Sequence, residues 1–243
     1  MRRPAPALAT VSLLIAAAVL TSGCQGRAAA RSTATPARTP TVTATPTTAA
    51  VTATPAALPS GPPTRARLAA ALPAAPAGST TARGRLAGPT GQLTPRQYLT
   101  AEFGATEAGK LLAGQVQGGL TAGAARSWRQ RDGVQVRVTV AGYRDRGGAK
   151  AFYLQLAYVQ EFYDAGAVHF TLPGAIDSTG IGATVPDTDG TTEAELFVLA
   201  GDTVLHVVLV SPHTADRAAV TALAAGAYSR LCALSDCSAG STS

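Results

Sequence analysis

Residues 203–210 read Thr-Val-Leu-His-Val-Val-Leu-Val. Successive side chains of a strand point to opposite faces. Val204, His206, Val208 and Val210 therefore share one face, and Leu205, Val207 and Leu209 the other. A strand that is apolar on both faces has to be covered on both, so it belongs at the centre of a sheet with packing above and below. Gly201-Asp202 reads as the tight turn of a hairpin to a preceding strand over 193–200.

The same reasoning extends toward the N-terminus. Val134, Val136, Val138 and Val140 alternate with Gln135, Arg137 and Thr139, the clearest period of two in the chain. Asp132-Gly133 turns this strand back on an earlier one over 125–130, from which Trp128 packs. Val168, Phe170 and Leu172 alternate as a third strand, and a short strand is expected near 181–185.

Three segments have helical spacing. Thr94-Pro95-Arg96-Gln97 has the form of a capping box with proline at the first helical position. The helix it opens runs to about Gln115, interrupted at Gly104 and Gly109, and is expected to bury Leu99, Phe103, Leu111 and Leu112. Gly147-Gly148 open a second helix whose apolar face is Phe152, Leu156, Val159 and Tyr163, ended by Gly166. In the third, Val220, Leu223, Ala224, Ala227, Tyr228 and Leu231 fall at i, i+3, i+4, i+7, i+8 and i+11. The expected fold is α+β: an antiparallel sheet of about five strands packed with three main helices, one domain over 64–237.

What precedes the domain cannot fold this way. Residues 24–63 are almost entirely Ala, Thr, Pro, Arg, Ser, Val and Gly, with no aromatic residue and no apolar period. Such a segment buries too little surface to offset the entropy of ordering, so a disordered, partly extended stalk is expected. A short tail over 238–243 is read the same way. The charge is divided accordingly. The net charge is +6, yet all fourteen acids lie at or beyond Glu102. From Gly91 onward eleven basic side chains meet fourteen acidic ones, a net −3. A basic N-terminal part precedes a mildly acidic part from Gly91 onward, and no basic face with stacking aromatics points to nucleic acid.

The first 23 residues begin with Arg2 and Arg3 and continue with an apolar run from Leu13 to Leu20, too short to cross a bilayer. This suits a cleavable secretory signal. The small residues Thr21-Ser22-Gly23 before Cys24 resemble a bacterial lipobox, with Thr21 where an aliphatic residue is usual and Leu20 one step back. The resemblance implies cleavage before Cys24, a lipid on its thiol, and a place on the outer face of the cell membrane. An ordinary signal peptide with an incidental cysteine is the alternative. Cys232 and Cys237 remain as an even pair in an exported domain, most simply a disulfide pinning the last helix. A metal pair is the other reading, but no histidine is near in sequence.

The run GGLTAGAARSWRQRDGVQVRVTVAGYRDRGGAKAFYLQL, followed by Leu172-Pro173-Gly174, the Gly201-Asp202 hairpin and the cysteine-ended helix, resembles actinobacterial surface lipoproteins. It is similar to the extracellular sensor-like domains of mycobacterial serine/threonine receptor kinases and to small lipoproteins with PsbP-like folds. The resemblance covers about residues 65–237. It implies a non-enzymatic module that binds a ligand or partner protein of the envelope.

No catalytic constellation is legible. There is no G-x-S-x-G elbow and no phosphate-binding loop, and Gly180-Ile181-Gly182 is too short for a dinucleotide fingerprint. His206 is expected to be a packed residue, and His213 a loop residue. His169 and His206 with Asp177 or Glu195 lack metal-ligand spacing. Asp177, Asp187, Asp189, Glu193 and Glu195 cluster without the calcium-loop pattern and read as a solvated acidic loop. No cofactor or metal is expected. Aromatic density suggests a pocket between the second helix and the sheet, lined by Trp128, Tyr143, Phe152, Tyr153 and Leu156, able to hold a small amphiphile. The sequence thus favours a binding or sensor-like module, then a lipid or glycolipid carrier, then an unrecognised envelope hydrolase.

Overall fold

The computed structural model describes residues 63–163, 167–234 and 237, without the side chains of 160–163. The signal segment, Cys24, nearly all of the stalk, Gly166, the Tyr163 side chain and the tail lie outside them. The described residues fall in one unit, Thr54–Ser243.

The fold is α+β. Seven strands form one antiparallel sheet in the order β1-β2-β3-β7-β6-β5-β4. They are β1 Gly91–Leu93, β2 Leu120–Arg129, β3 Gln135–Tyr143, β4 Val168–Phe170, β5 Asp177–Gly182, β6 Thr192–Ala200 and β7 Thr203–Ser211. The helices are α1 Arg65–Ala71, α2 Pro95–Gln117, α3 Arg146–Tyr163 and α4 Arg217–Cys232. The central position of β7, between β3 and β6, is the one its two apolar faces require.

Register assigns the faces. Val136, Val138 and Val140 of β3 stand opposite Leu209, Val207 and Leu205 of β7, and these six share a core with α1 and α4. Val220, Ala224, Ala227 and Leu231 of α4 and Leu68 and Ala71 of α1 close that face. On the other face α2 and α3 bring Tyr98, Leu99, Phe152 and Leu156 onto Ala125, Ala141, Tyr143, Leu199 and Val204.

The helix starts are local chemistry. Thr94 Oγ1 accepts from Gln97 N at 3.3 Å, and Thr94 N donates to Gln97 Oε1 at 2.9 Å, the reciprocal capping box. Asp216 caps α4 by accepting from Ala218 N at 2.8 Å. Gly104, at φ +79°, kinks α2, an angle that side chains on L-residues resist.

Some expectations are corrected. The sheet has seven strands where about five were expected. Two additions are β1 and a β5 that begins four residues before the expected 181–185. β4 ends at Phe170, and Leu172 packs beyond it with its N–H on Ser178 Oγ at 2.9 Å. The helix α1 adds to the three expected. Pro63, assigned to the stalk, is buried. Val159, expected on the buried face of α3, is 47% exposed, because Phe152, Tyr153 and Leu156 already fill the contact with the sheet. Cys232 and Cys237 form a disulfide with Cα atoms 5.1 Å apart.

Candidate functional site

Of the residues expected to line one pocket, Trp128 lies apart from the other four. Trp128 stands opposite Val136 in the β2–β3 hairpin, so it lies on the face of α1 and α4. Tyr143, Phe152, Tyr153 and Leu156 lie on the other face, under α2 and α3. There they are packed core. The Phe152 ring is 5.8 Å from Tyr143 and 6.4 Å, edge-on, from Tyr98. The Tyr143 hydroxyl donates to Gln115 Oε1 at 2.8 Å. Burial pushes the Tyr143 phenol well up, and burial with the nearby Asp177 pushes Tyr153 up to about 12.

Two other arrangements have the makings of a site. The first is a groove of about 980 Å³ on the α4 face. Helix α4 covers β6 and β7, and the sheet runs on past it to β5 and β4. On this face β5 presents Gly180 and Gly182, so nothing projects from the strand itself. A Cβ at Gly180 would come within 2.9 Å of the Phe170 ring, and one at Gly182 within 2.8 Å of Arg217 Cδ. Those two side chains occupy the space over the glycines. Phe170, Leu172 and Pro173 form one wall, and the exposed Ala218, Ala222 and Ala225 of α4 the other. Thr171, Thr214, Asp216, Arg217 and Thr221 supply its polar groups. The groove combines apolar walls with a few polar atoms at a volume usual for ligand sites.

The second is a buried ionic cluster on the α2–α3 face. His206 Nδ1 lies 2.8 Å from Glu102 Oε2, and Nε2 lies 3.1 Å from Glu195 Oε2. With an acceptor on each nitrogen the ring holds two protons and a positive charge. Burial alone would lower the pKa of His206, but the two carboxylates override it and raise the value to about 9. Burial likewise pushes Glu102 up, and the imidazolium brings it below the usual range. Phe197 stacks on the ring at 3.9 Å. Thr139 stands between the Tyr98 hydroxyl and Glu102 and favours the ionised form of both. The hydroxyls of Tyr98 and Thr139 and Glu102 Oε1 are nevertheless buried without a well-aligned partner among the described residues.

Arg137 extends the cluster. It is 6% exposed and donates to the carbonyls of Ala101 and Leu86, the latter at 2.6 Å. At the rim Arg85 pairs with Glu193 at 2.6 Å, and burial of Glu193 pushes its carboxyl up against that pairing. The cluster joins charges of both signs in direct contact. Its geometry is that of a clamp.

Among the described residues no three His, Cys, Asp or Glu side chains come together as metal ligands. His169 sits on β4, one strand beyond Ile181 and two from Glu195, and does not join His206. Asp187 and Asp189 spend oxygens on the loop's own Thr188 and Thr191 backbone N–H groups. No helix of the described residues is long and apolar enough to cross a membrane.

No family model matches this chain. No curated protein matches it either. Among solved structures, the extracellular domain of PknH from Mycobacterium tuberculosis is similar, with a TM-score of 0.46 at 14% identity over 70% of this chain and 97% of that one. At that score and identity nothing about this chain is argued from the likeness.

Sequence reading foresaw His206 as a packed residue and weighed Glu195 beside it only as a metal co-ligand; its contact with Glu102 was not foreseen. Glu102 and Arg137 were missed: the first sits in an amphipathic helix, the second in an alternating strand, where charge ordinarily faces water. The signal available was the apolar company of Arg137, since β3 pairs with a strand that has no solvent face. The groove left its trace in Gly180 and Gly182, two glycines on one face of a strand.

Proposed function

We propose that this chain is a lipid-anchored, extracytoplasmic binding module, not an enzyme, and that its envelope ligand or partner docks in the groove between β4 and α4. The observation that carries the reading is the groove itself, about 980 Å³ with apolar walls and Arg217, Thr214 and Thr221 at hand. The sequence supports the setting. Cys24 behind an apolar run supplies the anchor and residues 24–63 the reach, while the Cys232–Cys237 disulfide accords with an oxidising compartment.

The competing reading, a carrier with an enclosed cavity, has less behind it. The space proposed for that cavity is filled by Tyr143, Phe152, Tyr153 and Leu156, all under 9% exposed. A groove that opens to solvent suits a partner segment or a ligand held partly in water.

The experiment is photo-crosslinking from position 222 in the host envelope, with native mass spectrometry of the released protein. A discrete crosslinked protein and a clean apoprotein mass support the partner. An extra mass removed by organic solvent identifies a carried amphiphile. Neither adduct nor extra mass, in protein shown to be folded, would overturn the groove as the binding site.

A further inference from the structure

We infer that the outer face of α3 rests on an anionic lipid surface while the groove on the opposite face of the sheet points away from it. Lys150, Leu154 and Tyr158 are spaced four apart and share one side of α3. Leu154 is 52% exposed and Tyr158 57%, with Val159 at 47% beside them and Val116 of α2 at 44%. A solvent-facing helix surface ordinarily carries charge there. A basic start followed by Leu, Tyr and Val is the composition that lies in a membrane interface, with the aromatic ring at headgroup level and the cations on anionic lipid.

Charge and chain path agree. The two lysines of the chain, Lys110 and Lys150, stand on α2 and α3, and exposed Arg144 precedes α3, in a domain whose fifteen basic and fourteen acidic side chains over 64–237 nearly cancel. Glu107 pairs with Lys110 at 2.6 Å, which leaves Lys150 and Arg144 as the cations of this face, beside Asp145, which accepts from Gly148 N at 2.9 Å. Glu161 follows only near the far end of the helix. The tether enters at the same end of the sheet as the basic start, on the α1 side: Pro63 packs so closely on Gly142, two residues before Arg144, that a Cβ there would sit 2.8 Å from Pro63 Cγ and 3.0 Å from Leu68 Cδ1. Arg144 N donates to Gly119 O at 2.8 Å, which brings the end of α2 to that place as well.

A lipid surface is the occupant that the chain itself supplies. If Cys24 is acylated, the 39 residues of 24–62 hold the domain within on the order of 35 Å of the bilayer as a coil. The inference rests on the anchor reading for this proximity, though not for the chemistry of the face.

The test places benzoylphenylalanine at Leu154 or Tyr158 of the full chain in its host envelope, with Val185, in the β5–β6 loop at the opposite end of the sheet, as the control. Lipid adducts from 154 and 158 but not from 185 are expected, and Lys150→Ala should lower their yield about fivefold. Protein adducts, equal labelling at 185, or none at all would overturn the inference. Fatty-acid labelling of Cys24 is read separately. If the protein carries no lipid, the released form is floated with vesicles containing 30% phosphatidylglycerol. Binding there keeps the inference while the anchor falls, and absence of binding ends both.

Discussion

His206 of the central strand β7 and Glu102 of α2 meet with 2.8 Å between Nδ1 and Oε2, a contact spanning 104 residues of sequence. The side chains are 9% and 5% exposed, and Glu195 takes the other ring nitrogen. Because the pair is the junction between α2 and the sheet, the first half of that helix is held by charge as well as by Tyr98 and Leu99.

The pH dependence follows from the signs of the shifts. The folded pKa of His206 is raised to about 9. Its contribution is therefore complete below the unfolded value of about 6.5 and is lost as pH climbs from there through about 9. Glu102 is shifted down, so its contribution is complete above the ordinary carboxylate range and is lost on acidification below it. Thermal melts should show a plateau between about pH 5 and 6.5 and a fall above it of up to roughly 3 kcal/mol. In His206→Gln the alkaline fall should vanish. An alkaline profile from pH 6 to 10 that is the same in His206→Gln as in wild type would remove the imidazolium from the account.

Breaking the pair from one side is predicted to cost more than removing it. Glu102→Gln leaves the imidazolium with Glu195 alone, and a buried charge stripped of a partner costs about 3–5 kcal/mol. The double change Glu102→Met with His206→Leu replaces the pair by apolar volume, which is often close to neutral when the packing is good. Urea unfolding of the two variants should rank the double above the single. The reverse order would mean that the ionic contact itself is the main source of stability.

Arg137 makes a sharper case, because lysine cannot replace it. Its two terminal nitrogens reach the carbonyls of Ala101 and Leu86, tying α2 and the 84–86 turn to β3. A single ammonium on a flexible stem does not span both. Both Arg137→Lys and Arg137→Met should lose about 2–4 kcal/mol, with hydrogen exchange rising first around residues 82–88. Protection that stays unchanged in that segment would show that the turn is held by Ala82 and Leu86 against Val208 and Val210 instead.

How far the sequence could be read depended on how local each signal was. The Thr94–Gln97 box and the turns at Asp132-Gly133 and Gly201-Asp202 are fixed by neighbours within four residues, and the structure has all three. Strand β1 has three residues and takes its identity from pairing with β2, some thirty positions on, so no period announces it. Strand β5 carries glycines where a covered strand would show apolar side chains, because Phe170 and Arg217 occupy that space. The split of the aromatic set was accessible. A hairpin at Asp132-Gly133 opposes Trp128 to Val136, and Tyr143, an odd-numbered residue in the same strand, necessarily faces the other way. Density of aromatic residues in sequence was a weaker guide than parity.

The C-terminal disulfide tests the link between the tether and the core. Cys232 ends α4, and Cys237 returns to pack on the same apolar cluster as Ala69 and Leu234. Between them the Leu234 carbonyl accepts from Arg67 of α1, and Arg230 Nε donates back to Ala71 O at 2.7 Å. Helix α1 is the first helix of the described residues, so a pull on the preceding chain reaches the domain here. Closing a loop this short is worth about 2 kcal/mol by chain entropy. Cys237→Ser is expected to lower stability by about that amount and to raise exchange selectively in residues 64–72, with the β3–β7 centre still protected. Arg67→Ala should reproduce the second effect with the disulfide intact. Should Cys237→Ser lower global stability while leaving 64–72 as protected as in wild type, the disulfide would be acting on the unfolded chain alone, and α1 would be held by Leu68 and Ala71 without it.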